Sequence, residues 1–255
     1  MRTEVLGDGE PEYAVVSCLH GNETCGWKAI QRLKEKEIEI EKPVKLVMAN
    51  EKAYKADERY IDADANRSFP GSSDSEVHEE KLAARLLEEL EGMKILDIHS
   101  TNSREAPFGV VIGPDDVQVE LARSAGVERL VDMEFIGGNG LGAYTDCVVV
   151  ELSKAEGEPV DEAYEVLRNF LAAEGVIQGE YEKTDPEVFE VYMSDGDGHE
   201  EFLGKNFSLV EEGEVYARKE DGTELIADED FYPILMSKEG YPGIRLGFRA
   251  RKRDI

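Results

Sequence analysis

Short, almost wholly apolar runs alternate with amphipathic stretches through the first two thirds of this chain. The runs at 13–19 (YAVVSCL), 44–48 (VKLVM), 94–98 (KILDI), 108–112, 130–135 and 147–152 read as strands. Between them, residues 23–37 bring Trp27, Ile30 and Leu33 round at three-residue steps. Leu82, Leu86 and Leu90, with Ala83 and Leu87, form an i, i+4 stripe with an acidic N-terminal dressing after Ser75. Further helical patterns cover 117–125 and 160–173. Strands apolar on both sides need cover on both faces, which crossover helices supply. The expected fold is α/β: a mixed, mostly parallel sheet flanked by helices, whose ligands bind beyond the carboxyl ends of the strands.

The pattern changes near residue 179. Short strand-like segments at 188–193, 207–210, 215–218, 224–226 and 233–235 are separated by turns such as Asp195-Gly196-Asp197-Gly198 and Asp221-Gly222. We therefore expect an α/β domain over 1–178 and a small all-β domain, a sandwich or barrel, over 179–255.

Two of the strands end in residues that a metal ion accepts. His20-Gly21-Asn22-Glu23 closes the first, and Asp97-Ile98-His99-Ser100 closes the third. A His and a Glu three apart plus one distant His leave a coordination position open. Catalytic zinc uses three protein ligands and a water, whereas structural zinc fills all four positions with protein. The tetrapeptide alone has a second reading, a helix start with Asn22 as cap and Glu23 in the first turn. Asp97 shares a strand face with His99 and is placed either to hold its imidazole or to bond a loop. Cys18, Cys25 and Cys147 are an odd set without regular spacing, so no disulfide framework is expected. Cys18, His20 and Cys25 together lack a fourth soft ligand nearby. His78 and His199 lie in acidic surroundings and are expected to face solvent.

The run from Arg59 to Gly71 (RYIDADANRSFPG) is too polar for a core strand. Two arginines and an amide suit a carboxylate, because guanidinium makes forked, charge-assisted bonds. The other reading is a loop stapled by its own Arg–Asp pairs through Asp62 and Asp64. Glu151 ends the apolar run Cys147-Val148-Val149-Val150. A carboxylate there is costly without a partner or a task. Taking a proton from metal-activated water is such a task, and bonding a loop is the alternative.

HGNE at 20–23, Asn66-Arg67 followed by Phe69-Pro70-Gly71, and DIHST at 97–101, in this order, resemble the succinylglutamate desuccinylase/aspartoacylase family. That family is a branch of the zinc carboxypeptidase-like hydrolases, and the likeness covers most of the chain. It implies one Zn2+ per chain, held by His20, Glu23 and His99. Glu151 would activate the water and protonate the leaving amine, and Arg59 would steady the carbonyl and its oxyanion. Asn66 and Arg67 would grip the carboxylate of a small N-acyl amino acid. The implied activity is a zinc-dependent amidohydrolase of linear amides. A zinc carboxypeptidase acting on peptide C-termini and a non-catalytic metal-binding protein on the same fold are the alternatives. The family's C-terminal β-domain narrows the channel and contributes a tyrosine, for which Tyr241 is the candidate here. One departure stands out. Aspartoacylase places a second arginine and a tyrosine before its catalytic Glu to hold a side-chain carboxylate. Here the stretch 137–144 reads GGNGLGAY, without arginine, and Arg104 is the candidate substitute.

The chain of 255 residues carries 57 acidic against 29 basic side chains, a formal net charge of -28. This disfavours nucleic acid and anionic membranes as partners and leaves a small molecule, with a homo-oligomer compatible. The first residues lack the basic-then-apolar layout of a secretory signal, so a cytoplasmic location is expected. A salt-rich cytoplasm, which screens self-repulsion, would accommodate such a charge; an ordinary acidic protein is the alternative. On the first reading, the melting temperature rises between low and molar KCl in a thermal-shift titration. Indifference to KCl would discard it.

Overall fold

The computed structural model describes residues 1–36, 38–197, 199–237 and 245–253. In chain order the strands are β1 (Arg2–Leu6), β2 (Tyr13–Ser17), β3 (Val44–Met48), β4 (Lys94–Thr101), β5 (Phe108–Val111), β6 (Arg129–Asp132), β7 (Asp146–Ser153), β8 (Glu187–Asp195), β9 (Glu201–Phe202), β10 (Val215–Arg218), β11 (Glu224–Ile226), β12 (Tyr232–Ile234) and β13 (Gly247–Arg253). The helices are α1 (Cys25–Lys34), α2 (Glu51–Ala56), α3 (His78–Glu89), α4 (Asp116–Ala125) and α5 (Val160–Ala173). Ten strands form one sheet in the order β1-β3-β2-β4-β7-β5-β6-β8-β13-β12. β3, β2, β4 and β7 run parallel, as do β5, β6 and β8, and the two blocks meet antiparallel at β7–β5. The expected mixed, mostly parallel α/β sheet is what forms.

Side-chain alternation decides which face each helix covers. Tyr13 and Val15 of β2 join Leu96 and Ile98 of β4 in a cluster with Ile30, Leu33, Leu121, Leu167 and Phe170 from α1, α4 and α5. Ala14 and Val16 join Ile95 on the opposite face, with Leu82, Leu86 and Leu90 from α3 and the residue after it. Asp97 and His99 share the parity of Ile95 and so project on the α3 side. No helix among the described residues is long and apolar enough to cross a membrane.

Among the described residues beyond 179 the named elements are all strands, and they build no separate sandwich or barrel. β8 pairs in parallel with β6, and β13 and β12 extend the same sheet, while β9, β10 and β11 form a small antiparallel sheet beside it. The physical reason is the edge of β6, which would otherwise leave unpaired backbone groups. Phe189 and Val191 of β8 also pack with Val131 and Phe248 in one buried cluster. The expected strand at 207–210 reduces to a single bridge, Val210 to Phe231, because Phe207 takes a φ of 62° and turns the chain.

Arg249 ties the tail together. Its guanidinium bonds Asp195 Oδ2 at 2.6 Å, Tyr216 Oη at 2.9 Å and the carboxylate of Asp228, and lies 4.4 Å from the Phe231 ring centre. Removing one partner of a buried ion pair leaves the other charge stranded. Arg249→Ala should therefore cost about 3 kcal/mol in urea denaturation; a loss within the error of the extrapolation would show that the pair does not hold the tail.

Candidate metal centre and cavity

His20 and Glu23 reach the site by a tight turn beyond β2. Cys18 takes a φ of 54° and bends the chain out of the strand. Gly21 then passes so close to α2 that a Cβ would lie 2.2 Å from the Ala53 carbonyl carbon. Its N–H bonds Arg59 O at 3.0 Å, and the Glu23 N–H closes the turn onto His20 O at 3.1 Å. α1 begins only after this turn, with Thr24 in the cap position. The alternative reading of HGNE as a helix start, with Asn22 as cap and Glu23 in the first turn, is thereby replaced by a reverse turn that aims both side chains at one point.

β4 runs parallel to β2 with Ser17 beside Ile98, which places His99 next to that turn. One ligand atom each from His20, Glu23 and His99 lies within 4.8 Å of the others, and all three residues are buried. Glu23 sits between the imidazoles, Oε1 at 3.1 Å from His20 Nδ1 and Oε2 at 3.0 Å from His99 Nδ1. The Nε2 atoms face outward to other carboxylates: His20 to Asp64 Oδ1 at 3.2 Å, and His99 to Asp97 Oδ2 at 2.9 Å. Both histidines thus leave Nδ1 directed at a common point, with the far nitrogen anchored by an acid as metal-ligating histidines usually are. His20 Nδ1 is buried and makes no hydrogen bond, which suits a nitrogen whose partner is a cation.

The electrostatics agree. Burial opposes a charged His99, yet Asp97 and Glu23 outweigh it and raise its pKa well above the usual value. Burial likewise opposes a charged Glu23, but His20 and His99 hold it well below the carboxylate range. Asp64 is lowered too, since His20 and Arg59 overcome its partial burial. Three acids around two imidazoles, with one guanidinium, select positive charge. Cys18 and Cys25 pack in the apolar core, where burial pushes both thiols up to about 12.

The polar run lies over this centre. Arg59 Nη1 donates to Glu23 Oε1 at 2.7 Å, and Arg59 Nη2 to Asp64 Oδ2 at 3.3 Å. Asp64 also accepts from Asn66 N at 2.9 Å, which starts a 3-10 turn from Ala65 to Arg67. The stapled-loop reading therefore holds for Arg59 and Asp64, together with a place at the site. His99 of β4 is in register with Glu151 of β7, so the two side chains stand side by side on one face. Glu151 is half-buried. Burial raises its pKa, His99 works against this, and the net shift is upward. A cavity of about 560 Å³ opens there, lined by His20, Glu23, Arg59, Asn66, Arg67 and Glu151 among others.

A model of the succinylglutamate desuccinylase/aspartoacylase catalytic domain matches residues 10–164. The chain belongs to this family. None of the curated proteins matches the sequence. Solved structures do match the fold. A succinylglutamate desuccinylase/aspartoacylase of Rhodobacter sphaeroides superposes with a TM-score of 0.78 at 18% identity, covering 99% of this chain and 89% of that one. The ectoine utilization protein of Ruegeria pomeroyi, in a product-bound structure, gives 0.76 at 21%, covering 98% and 87%. Murine aminoacylase 3 gives 0.70 at 19%, covering 96% and 97%.

Within this desuccinylase/aspartoacylase frame, the residues foreseen from sequence sit as follows. His20, Glu23, His99, Asp97, Arg59, Asn66, Arg67 and Glu151 converge on one side of the sheet. Tyr241 lies outside the described residues. Arg104 is exposed and does not line the cavity; Lys154 and Arg245 do. Sequence reasoning gave Asp64 no role toward His20, although it stood in the run already singled out. Glu79 belongs to the acidic dressing that follows Ser75. Glu79 is buried, and its carboxylate accepts from the N–H groups of Ile61, Asp62 and Ala63 at 2.7–3.0 Å and from Asn50 Nδ2 at 3.0 Å. It shapes the loop that carries Arg59 to Arg67. His78, expected in solvent, is half-buried because its Nε2 packs 3.1 Å from Asn50 Oδ1, whereas His199 is exposed as expected.

His20→Ala, Glu23→Ala and His99→Ala should each abolish stoichiometric zinc binding to the dialysed protein. Asp64→Asn keeps the shape but removes the anchoring charge and should weaken binding about tenfold in a chelator competition. Full affinity in all four variants would rule out this centre.

Proposed function

We propose that the protein is a zinc-dependent deacylase that hydrolyses the amide bond of a small N-acyl amino acid, with one zinc ion per chain. The observation that carries this reading is the pairing of His99 with Glu151 across β4 and β7. It sets a half-buried carboxylate beside a buried His/Glu/His centre, within the same cavity as Asn66 and Arg67.

Zinc held by His20, Glu23 and His99 supplies Lewis acidity and brings the pKa of water toward neutrality. The chain's own groups do the rest. Asn66 and Arg67 take the substrate carboxylate, Arg67 through a forked pair of N–H donors, which restricts orientation and lowers the entropic part of the barrier. Arg59 stands at the centre's rim and offsets negative charge growing on the amide oxygen. Glu151 takes a proton from the attacking water and passes it to the leaving nitrogen. Its raised pKa suits both directions of transfer. Leu235, Met236, Ser237 and Phe248 bring the tail to the cavity wall, and this narrowing favours a small substrate over a long peptide.

Glu151→Gln retains the shape and loses the proton acceptor. Turnover of the favoured acyl amino acid should fall by roughly 10²- to 10⁴-fold while zinc content stays at the wild-type level. A panel of N-succinyl-glutamate, N-acetyl amino acids and a blocked dipeptide tests the substrate class. Exclusive cleavage of the dipeptide, or full activity of the zinc-free protein, would refute the proposal.

A further inference from the structure

We infer that the amino-acid part of the substrate carries an apolar side chain rather than a second carboxylate. This rests on the deacylase reading and deepens it. The place to look is next to the carboxylate clamp. A Cβ on Gly140 would stand 3.3 Å from Asn66 Oδ1 and 3.8 Å from Ile112 Cδ1, so the clamp amide and Ile112 flank the same glycine. A substrate whose carboxylate is held by Asn66 and Arg67 would therefore have Ile112 close at hand.

What surrounds Ile112 is apolar. Val110 of β5 is paired with Val149 of β7, and Val149 lies two residues before Glu151 on the same face. Ile112 follows Val110 by two. Met133 bonds Val111 through its N–H at 2.9 Å, and Leu235 of the tail belongs with Val110, Ile112 and Met133 to one packed group. Val110, Ile112, Met133, Ile136, Val149 and Leu235 all line the cavity, so this face is open to a ligand. The stretch 137–140 beside it is Gly-Gly-Asn-Gly, with no cation. A carboxylate placed against these side chains would lose water to an apolar wall, whereas an aliphatic or aromatic group would be released from water.

Two further cations, Lys154 and Arg245, line the same cavity. Lys154 follows β7 and bonds Thr101 O through its N–H, on the β4 side. Arg245 has its guanidinium 4.9 Å from the ring centre of Phe248, which packs in the same group as Ile112 and Leu235. These are the residues through which the opposite preference would act, and they define the control.

The experiment compares kcat/KM of the zinc-loaded protein for N-acetyl-leucine, N-acetyl-methionine, N-acetyl-aspartate and N-acetyl-glutamate. The apolar pair should exceed the acidic pair by on the order of tenfold or more. Ile112→Arg, with zinc content and circular dichroism unchanged, should lower the value for N-acetyl-leucine about tenfold and raise that for N-acetyl-aspartate. Equal rates, or an acidic preference that disappears in Lys154→Ala or Arg245→Ala, would overturn the inference and leave the deacylase function standing. Hydrolysis of none of the four, nor of N-succinyl-glutamate, would overturn both.

Discussion

The parallel register of β2, β4 and β7 is the constraint on which the site depends. It brings Ser17 beside Ile98 and His99 beside Glu151, so a turn after one strand, a residue within the second and an acid on the third meet at one level of the sheet. Residues 20, 99 and 151 are far apart along the chain, and only hydrogen-bonded strands of fixed spacing bring them to one level of the sheet. The α3 side is the face left to them, because Leu96, Ile98, Val148 and Val150 turn the other way into the core.

Around that register the structure supports each functional group from behind. Asp64 and Asp97 anchor the outer nitrogens of the two imidazoles, Arg59 joins Glu23 to Asp64, and Glu79 gathers three backbone N–H groups of the loop that carries Arg59 to Arg67. The anchors are acids, so the protein's surplus of negative charge is not all on its surface. Buried carboxylates with several donors are rigid, and rigidity is what a positioned ligand set requires.

The tail contributes differently. By adding β8, β13 and β12 to the central sheet it covers the open edge of β6 and delivers Leu235, Met236 and Phe248 to the cavity. Sheet continuity thereby makes the α/β part and the β-rich part share one wall, and that wall is apolar near Asn66.

Much of this was legible in the order of residues. Continuous apolar runs announce strands covered on both faces, and β3, β10, β11 and α5 fall where the pattern puts them, because hydrophobic periodicity is a local property. The cluster of His20, Glu23 and His99 was legible for a related reason: strand ends in a parallel sheet are where side chains are free to converge. Less could be read where the partner is distant. Glu79 looks like any acid on a helix face until its loop folds over it, and Lys154 and Arg245 look like surface cations. The edge to which β8 adds has no local signature, since edge strands are chosen by what is left unpaired. The sequence by itself determined the elements, the strand-end donors and the charge, all of which follow from a residue and its near neighbours. Tertiary structure alone decided which nitrogen of each imidazole faces inward, which acid stands behind it and which apolar residues wall the cavity, because these depend on register and on contacts between segments that the chain keeps far apart.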